Sequence, residues 1–266
     1  MRYIEFVSHL AQGGSTMNRK ELMILALLFS IFLLLATGVS AGQFVDVPYN
    51  HNDGADMYLD PLQSEGFIEG YPDNTFRGNR SFTRYECAAI IARIYERMIS
   101  EVLSVDPGLQ KIMMSAPFDT GPVYFQDVPY NHWAAGYVAV MDNSGIMVGD
   151  ENGFFNGDKI ITIAEFVVTL NRLVTKFDFA IFAEEESIDG SDSESLIFAD
   201  LTSDHWAYES FQSLCRKGLF QANPDDKFRG SRTFSRYEIV MVLGRIWDHF
   251  RAELDKYSEQ YQAKMD

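Results

Sequence analysis

Cysteine is scarce in this chain. Its 266 residues hold two, Cys87 and Cys215, too few for a secreted scaffold stapled by disulfides. Each falls in a segment of helical apolar spacing, which suits a small buried hydrophobe, although the sequence leaves a single bridge between them open. Basic residues are also few: 22 Lys and Arg stand against 38 Asp and Glu, for a net charge of −16. Such a chain repels phosphate backbones, which excludes nucleic acid and anionic lipid as general partners. An anionic ligand would have to be held by local arginines against the overall field. The spacings that carry enzymatic chemistry are missing as well. There is no HExxH, no CxxC pair, no GxSxG and no glycine-rich phosphate loop. No catalytic residue, metal site or cofactor is therefore expected, and the chain is not expected to be an enzyme.

Long apolar runs are limited to one, near the start. From Met17 the chain reads "MNRKELMILALLFSIFLLLATGVSAGQ". Arg19 and Lys20 give a basic beginning, Leu22 to Ala36 an apolar middle, and Val39-Ser40-Ala41 the small residues a signal peptidase needs. This is the shape of a secretory signal cleaved after Ala41. An uncleaved anchor is the alternative, but the fully apolar stretch is short for the roughly 20 residues of a span. Residues 1–16 fit neither pattern, and translation is expected to begin at Met17. The rest of the chain has material for a core, with 47% hydrophobic and 14% aromatic residues overall.

What is present three times decides the organisation. "FRGNRSFTRYE" at Phe76 to Glu86 returns as "FRGSRTFSRYE" at Phe228 to Glu238, and a worn copy, "FFNGDKIITIAE", lies between them at Phe154 to Glu165. The likeness extends upstream to "FVDVPYNH" from Phe44, "FQDVPYNHWA" from Phe125 and "FADLTSDHWA" from Phe198. His51, His132 and His205 are thus one position seen three times. Gly66, Gly145 and Gly218 each precede the glutamate of the last motif by 20 residues. A repeat of this kind outranks local signals in assigning a fold.

Each copy predicts the same helix-loop-helix unit. A first helix, near Ala134 to Asn143 in the second copy and Ala207 to Lys217 in the third, ends at the glycine as a C-cap. A turn follows, "YPDN", "DENG" or "NPDD", and then an apolar plug at Phe76, Phe155 or Phe228. Thr83, Thr162 or Ser235, each followed three residues later by glutamate, forms a capping box at the start of a second helix. Core positions are expected at Ala89, Ile90 and Ile94 and their counterparts. Arg93, Arg172 and Arg245, seven residues beyond the capping glutamates, share one face and read more readily as structural partners than as ligand-binding groups. Segment 101–123 and the acidic stretch 179–196 read as linkers. The second linker lacks the spacing of a calcium loop. Helical spacing continues from Ile246 through Phe250 and Leu254 into a tail at 251–266, which fits either a helix packed on the body or a coiled-coil stub.

Phe-x-Asp-Val-Pro-x-x-His-Trp-Ala, Gly-Phe-Ile-x-Gly-Tyr-Pro-Asp-x-Thr-Phe and Thr-Arg-Tyr-Glu together resemble the S-layer homology family. The resemblance covers nearly all of Phe44 to Phe250 apart from the linkers, with copies at 42–100, 124–178 and 197–250. It implies a mainly α fold, three units forming one pseudo-threefold trefoil around a central helical bundle. It also implies a non-catalytic module of the cell envelope that binds cell-wall polysaccharide or peptidoglycan in grooves between units. The "FRGNR" and "TRYE" wording looks like versions from diderm bacteria. Carried over position by position, Arg84 and Arg236 would hold a ligand carboxylate, Trp133 and Trp206 would stack on sugar, and Asp46, Asp127 and Asp200 would complete the site. Two departures stand out: Ile163 replaces arginine in the second copy, and Asn52 replaces tryptophan in the first, which also carries two extra residues before Gly66. Counted copy by copy, only the third has every element. The other reading of function is an envelope structural or assembly protein whose grooves contact a protein partner. The other reading of Trp and Asp, separate from it, is that they pack against and cap the first helix.

Overall fold

The computed structural model describes residues 44–47, 55–110, 113, 125–182, 198–220 and 225–265. The signal segment, residues 183–196 of the acidic linker and position 52 lie outside them, while residues 179–182 of that linker continue a helix. Among the described residues are six α-helices and no strands. They are α1 (Ala55–Ser64), α2 (Arg84–Val105), α3 (Ala135–Asn143), α4 (Ile163–Phe182), α5 (Tyr208–Arg216) and α6 (Arg236–Met265). The mainly α architecture is as expected, two helices per copy. None of these helices is long and apolar enough to cross a membrane.

Local chemistry sets their ends. Gly66, Gly145 and Gly218 follow the first helices at φ 76°, 69° and 68°, a left-handed conformation that costs other residues about 1 kcal/mol or more. The chain then folds back, and the N–H groups of Phe67, Ile146 and Leu219 donate to the carbonyls of Leu62, Met141 and Leu214. All three capping boxes form. Thr83, Thr162 and Ser235 donate their N–H to Glu86, Glu165 and Glu238 at 2.9, 2.9 and 2.8 Å, and their hydroxyls accept in return. Each box is worth about 1 kcal/mol.

The second helices build the core. Phe76, Phe155 and Phe228 are buried beneath the turns as expected, each contributing roughly 1.5–3 kcal/mol. The expected core positions of α2, Ala89, Ile90 and Ile94, are all buried, as are Leu173 in α4 and Val242 and Ile246 in α6. Ala88, Ile91, Ala92 and Tyr95 are buried beside them, with Phe166, Val167 and Leu170 in α4 and Ile239, Val240 and Leu243 in α6, because α2 is enclosed on most sides. Tyr95, Phe177 and Phe250, one from each second helix, meet edge to face at 5.8 and 5.4 Å.

The copies join in a closed cycle. The N–H groups of Arg84 and Tyr85 donate to the carbonyls of Lys159 and Gly157 in copy two; those of Ile163 and Ala164 donate to Arg232 and Gly230 in copy three; those of Arg236 and Tyr237 donate to Arg80 and Gly78 in copy one. Helix packing repeats this order: α2 lies on α3, α4 on α5, and α6 on α1. Tyrosine and glycine explain part of the repeated wording. The ring of Tyr85 covers Gly157, and that of Tyr237 covers Gly78, where a Cβ would sit 2.1 or 2.0 Å from the ring. Only glycine leaves that space.

Helix α2 runs five residues into the segment read as a linker, followed by a 3-10 turn at Pro107–Leu109. Helix α6 continues unbroken through the tail and packs on the body. Leu254 is buried, and the Tyr257 hydroxyl donates to Asp106 at 2.7 Å. Cys87 and Cys215 are unpaired.

Candidate functional site

The cyclic joining creates a cleft at the meeting of all three copies, with a cavity volume of about 180 Å³ and open to solvent. Copy one supplies Glu69, Tyr71, Glu86 and Arg93, copy two supplies Trp133, and copy three supplies Arg236. Two residues singled out from sequence, Trp133 and Arg236, are therefore brought together from different copies.

Trp133 is 59% exposed. Its indole lies edge-on to Tyr85 at 6.1 Å and beside His132, so one flat face remains open for stacking. Trp206, at the corresponding place in copy three, is 60% exposed and stacks on His205. Each histidine is itself fixed by accepting, at Nδ1, the N–H of Ala134 or Ala207 at 3.2 Å. Exposed indoles at both positions argue against a core role for them.

Arg236 is placed differently. It is 5% exposed, and its Nε and Nη2 donate to the carbonyls of Phe76 and Glu69 at 2.8 and 2.9 Å. The guanidinium lies over the Phe76 and Phe82 rings. Burial lowers its pKa, yet arginine stays charged in proteins. Arg84 makes the same pair of bonds in the next join, to Phe155 and Val148 at 3.0 and 3.2 Å, and is only half-buried. Both side chains clamp a neighbouring copy's turn. The Nε–Nη2 edge, one of the two that suit a carboxylate fork, is occupied in each. A ligand carboxylate would have to be taken by the Nη1 end.

The three aspartates are held within their own copies. Asp46 accepts the N–H groups of Phe76 and Arg77, Asp127 those of Phe155 and Asn156, and Asp200 those of Phe228 and Arg229, all at 2.6–2.8 Å. The second partner in each case is a non-glycine residue at φ 55–57°. Each carboxylate thus supports a left-handed backbone position with both oxygens engaged, and none of the three lines the cleft.

Sequence reasoning missed two cleft residues as such, Glu69 and Tyr71. It also missed the basic residues that hold the capping glutamates: Arg80 on Glu86, Lys159 on Glu165 and Arg232 on Glu238. The signal was available, since all three stand six residues before their glutamate. Arg93 serves as the expected structural partner, pairing with Glu69 at 3.0 Å and donating to the Tyr137 hydroxyl of copy two.

Residues 49–88, 124–167 and 197–239 match the S-layer homology domain. The chain carries three tandem S-layer homology domains. They fall on the three helix-loop-helix copies. A cellulosome-anchoring protein of Acetivibrio thermocellus is 26% identical over 179 residues, 67% of this chain and 35% of that one. Outer membrane protein SlpA of Deinococcus radiodurans is 50% identical over 66 residues, 24% of this chain and 6% of that one. A Bacillus anthracis protein titled an uncharacterized cell wall amidase is 29% identical over 216 residues, 80% of this chain and 33% of that one. The chain spans about a third or less of each of these relatives. The S-layer homology domains are the part of the fold described above, and their joins are where the cleft lies.

Proposed function

We propose that this chain is a non-catalytic anchoring module of the cell envelope, exported by the segment from Met17 to Ala41, and that it binds cell-wall glycan in the clefts between its copies. The observation that carries this reading is the open cleft in which the exposed Trp133 indole stands with Arg93 and Arg236. A flat apolar face beside guanidinium groups suits a sugar ring with polar or acidic substituents. The closed cycle of bonds supports one pseudo-threefold trefoil as the frame, and the outer-membrane and cell-wall names among the relatives support the location. The cell-wall amidase name belongs to a protein about three times as long as the shared segment, and the chemistry of this chain's cleft offers it no parallel.

Because the cleft draws on three copies, its elements are counted by cleft. Arg236 belongs with Trp133, and the same cyclic step would pair Arg84 with Trp206 in a second cleft. The step that Ile163 makes toward copy three brings no guanidinium. Arg84 and Arg236 act first as clamps that shape the clefts, the tryptophans as platforms, and the three aspartates as supports of the loops behind them.

Co-sedimentation with purified sacculi from the encoding bacterium tests the reading. The mature protein is expected to pellet and to be released by soluble glycan from the same walls, and Trp133→Ala/Trp206→Ala is expected to stay in solution while keeping its fold. A wild-type protein that does not pellet would move the assignment to a protein partner. Muropeptide release over time would overturn the non-catalytic reading.

A further inference from the structure

Two buried N–H groups are satisfied by side chains, and those side chains stand against the two exposed indoles. Ala134 and Ala207, the residues before α3 and α5, are fully buried, so their N–H groups need partners inside the protein. Each donates to Nδ1 of the histidine two positions earlier, His132 or His205, at 3.2 Å. A ring nitrogen that accepts carries no proton, so both neutral imidazoles hold theirs on Nε2. The same bond fixes the orientation of each ring. Between histidine and alanine stands the tryptophan. His205 stacks on Trp206 at 5.6 Å and 26°, and His132 lies tilted against Trp133 at 5.7 Å and 39°.

What else holds each pair differs. His132 also packs on Tyr85 of copy one, ring to ring at 4.3 Å. Tyr85 reaches Trp133 at 6.1 Å and is anchored through its hydroxyl, which donates to the Asp127 carbonyl at 2.9 Å. At the corresponding place in copy two, two residues after the capping Thr162, stands Ala164, which has no ring to offer. His205 instead meets the edge of Phe228, in its own copy, at 6.0 Å.

Resting on the glycan-binding reading, we propose that His132 and His205 are positioning residues for the two sugar platforms. Each imidazole, locked by the N–H it accepts, holds its indole in the orientation that receives a sugar ring. Neither histidine is required to touch the ligand. A tryptophan held in place beforehand spares the cost of ordering it on binding. Trp206, with no tyrosine beside it, depends on its histidine more than Trp133 does.

Fluorine NMR of protein labelled with 5-fluorotryptophan reads each indole separately, the lines being assigned by their loss in Trp133→Ala and Trp206→Ala. Asparagine keeps an acceptor for the N–H two residues on but removes the ring. His132→Asn and His205→Asn are therefore expected to keep the wild-type urea midpoint. Each is expected to shift and narrow the line of its own tryptophan and leave the other in place, with the larger change at Trp206. Affinity for purified sacculi is expected to fall about two- to tenfold for each platform released, and most in the double variant. A purely structural role predicts kept fold and kept binding with asparagine. The lock is also checked without any variant: long-range proton–nitrogen spectra of wild type at pH 8 should show both rings protonated at Nε2 and bare at Nδ1. A proton on Nδ1, unmoved fluorine lines, or a double variant that pellets as wild type does would each overturn the positioning role while leaving glycan binding intact. If wild type itself does not pellet, the underlying reading fails and the positioning role with it.

Discussion

Nε of Arg236 donates to the carbonyl oxygen of Phe76 at 2.8 Å, across 160 positions of sequence. With the Nη2 bond to Glu69, it closes the join between the last copy and the first. Arg236→Ala would leave two carbonyls without donors and a void beneath the Phe76 and Phe82 rings. A loss of roughly 2–4 kcal/mol is expected in urea unfolding. Arg84→Ala, at a half-buried position, is expected to cost about 1 kcal/mol.

Gly78→Ala puts a methyl into the space filled by the Tyr237 ring and is expected to destabilise by about 1–3 kcal/mol. Gly157→Ala does the same against Tyr85. The cycle Gly78→Ala with Tyr237→Ala should show coupling, the second change relieving part of the first. Additive effects would place the strain elsewhere.

Acid should weaken the fold through the capping glutamates. Burial pushes Glu165 and Glu238 up, but hydrogen bonds from Lys159 and Thr162, and from Arg232 and Ser235, outweigh it and hold both below the ordinary 4.5. A carboxylate depressed on folding stabilises fully above its unfolded value and loses that contribution as pH falls through the folded one. Urea midpoints are expected to be flat with respect to these groups from neutral pH to about 4.5 and to fall below it. Glu238→Gln should be less stable at neutral pH and show a shallower fall.

Burial pushes the Cys87 thiol up to about 12 and that of Cys215 up to about 11. Since the thiolate is the reactive species, a disulfide reagent at pH 8 is expected to leave Cys87 unmodified in the native protein and to reach it on unfolding. Fast modification of Cys87 would mean that α2 opens locally.

Trp133→Ala removes an exposed side chain, so its stability cost should be within about 0.5 kcal/mol. Its effect should appear in sacculus binding alone. A large loss of stability would return the indole to a structural role.

Much of this was legible in the sequence. Capping boxes, glycine C-caps and buried Phe76, Phe155 and Phe228 follow from local chemistry, and local chemistry repeats with the sequence. Asp46 was harder to read, because its partners lie 30 residues on and a carboxylate looks alike whether it holds backbone or ligand. The clamping role of Arg84 depends on carbonyls of another copy, which no spacing within a copy reveals. For the same reason a copy-by-copy count singled out the third copy, whereas the cycle pairs Arg236 with Trp133. The expected α2 core at Ala89, Ile90 and Ile94 is buried, but Ala88 and Ala92 beside it were not legible, since they gain their burial from neighbouring helices and not from their own hydrophobicity.

Helix α6 runs without interruption from the join at Arg236 to Met265. A tensile load applied at its far end therefore travels along one rigid rod straight to the seam between last and first units. The seam is held by parallel backbone and guanidinium bonds that must rupture together. Under a pull from that direction the module should yield at this clasp first, and a circular permutant opened at a different boundary should yield elsewhere.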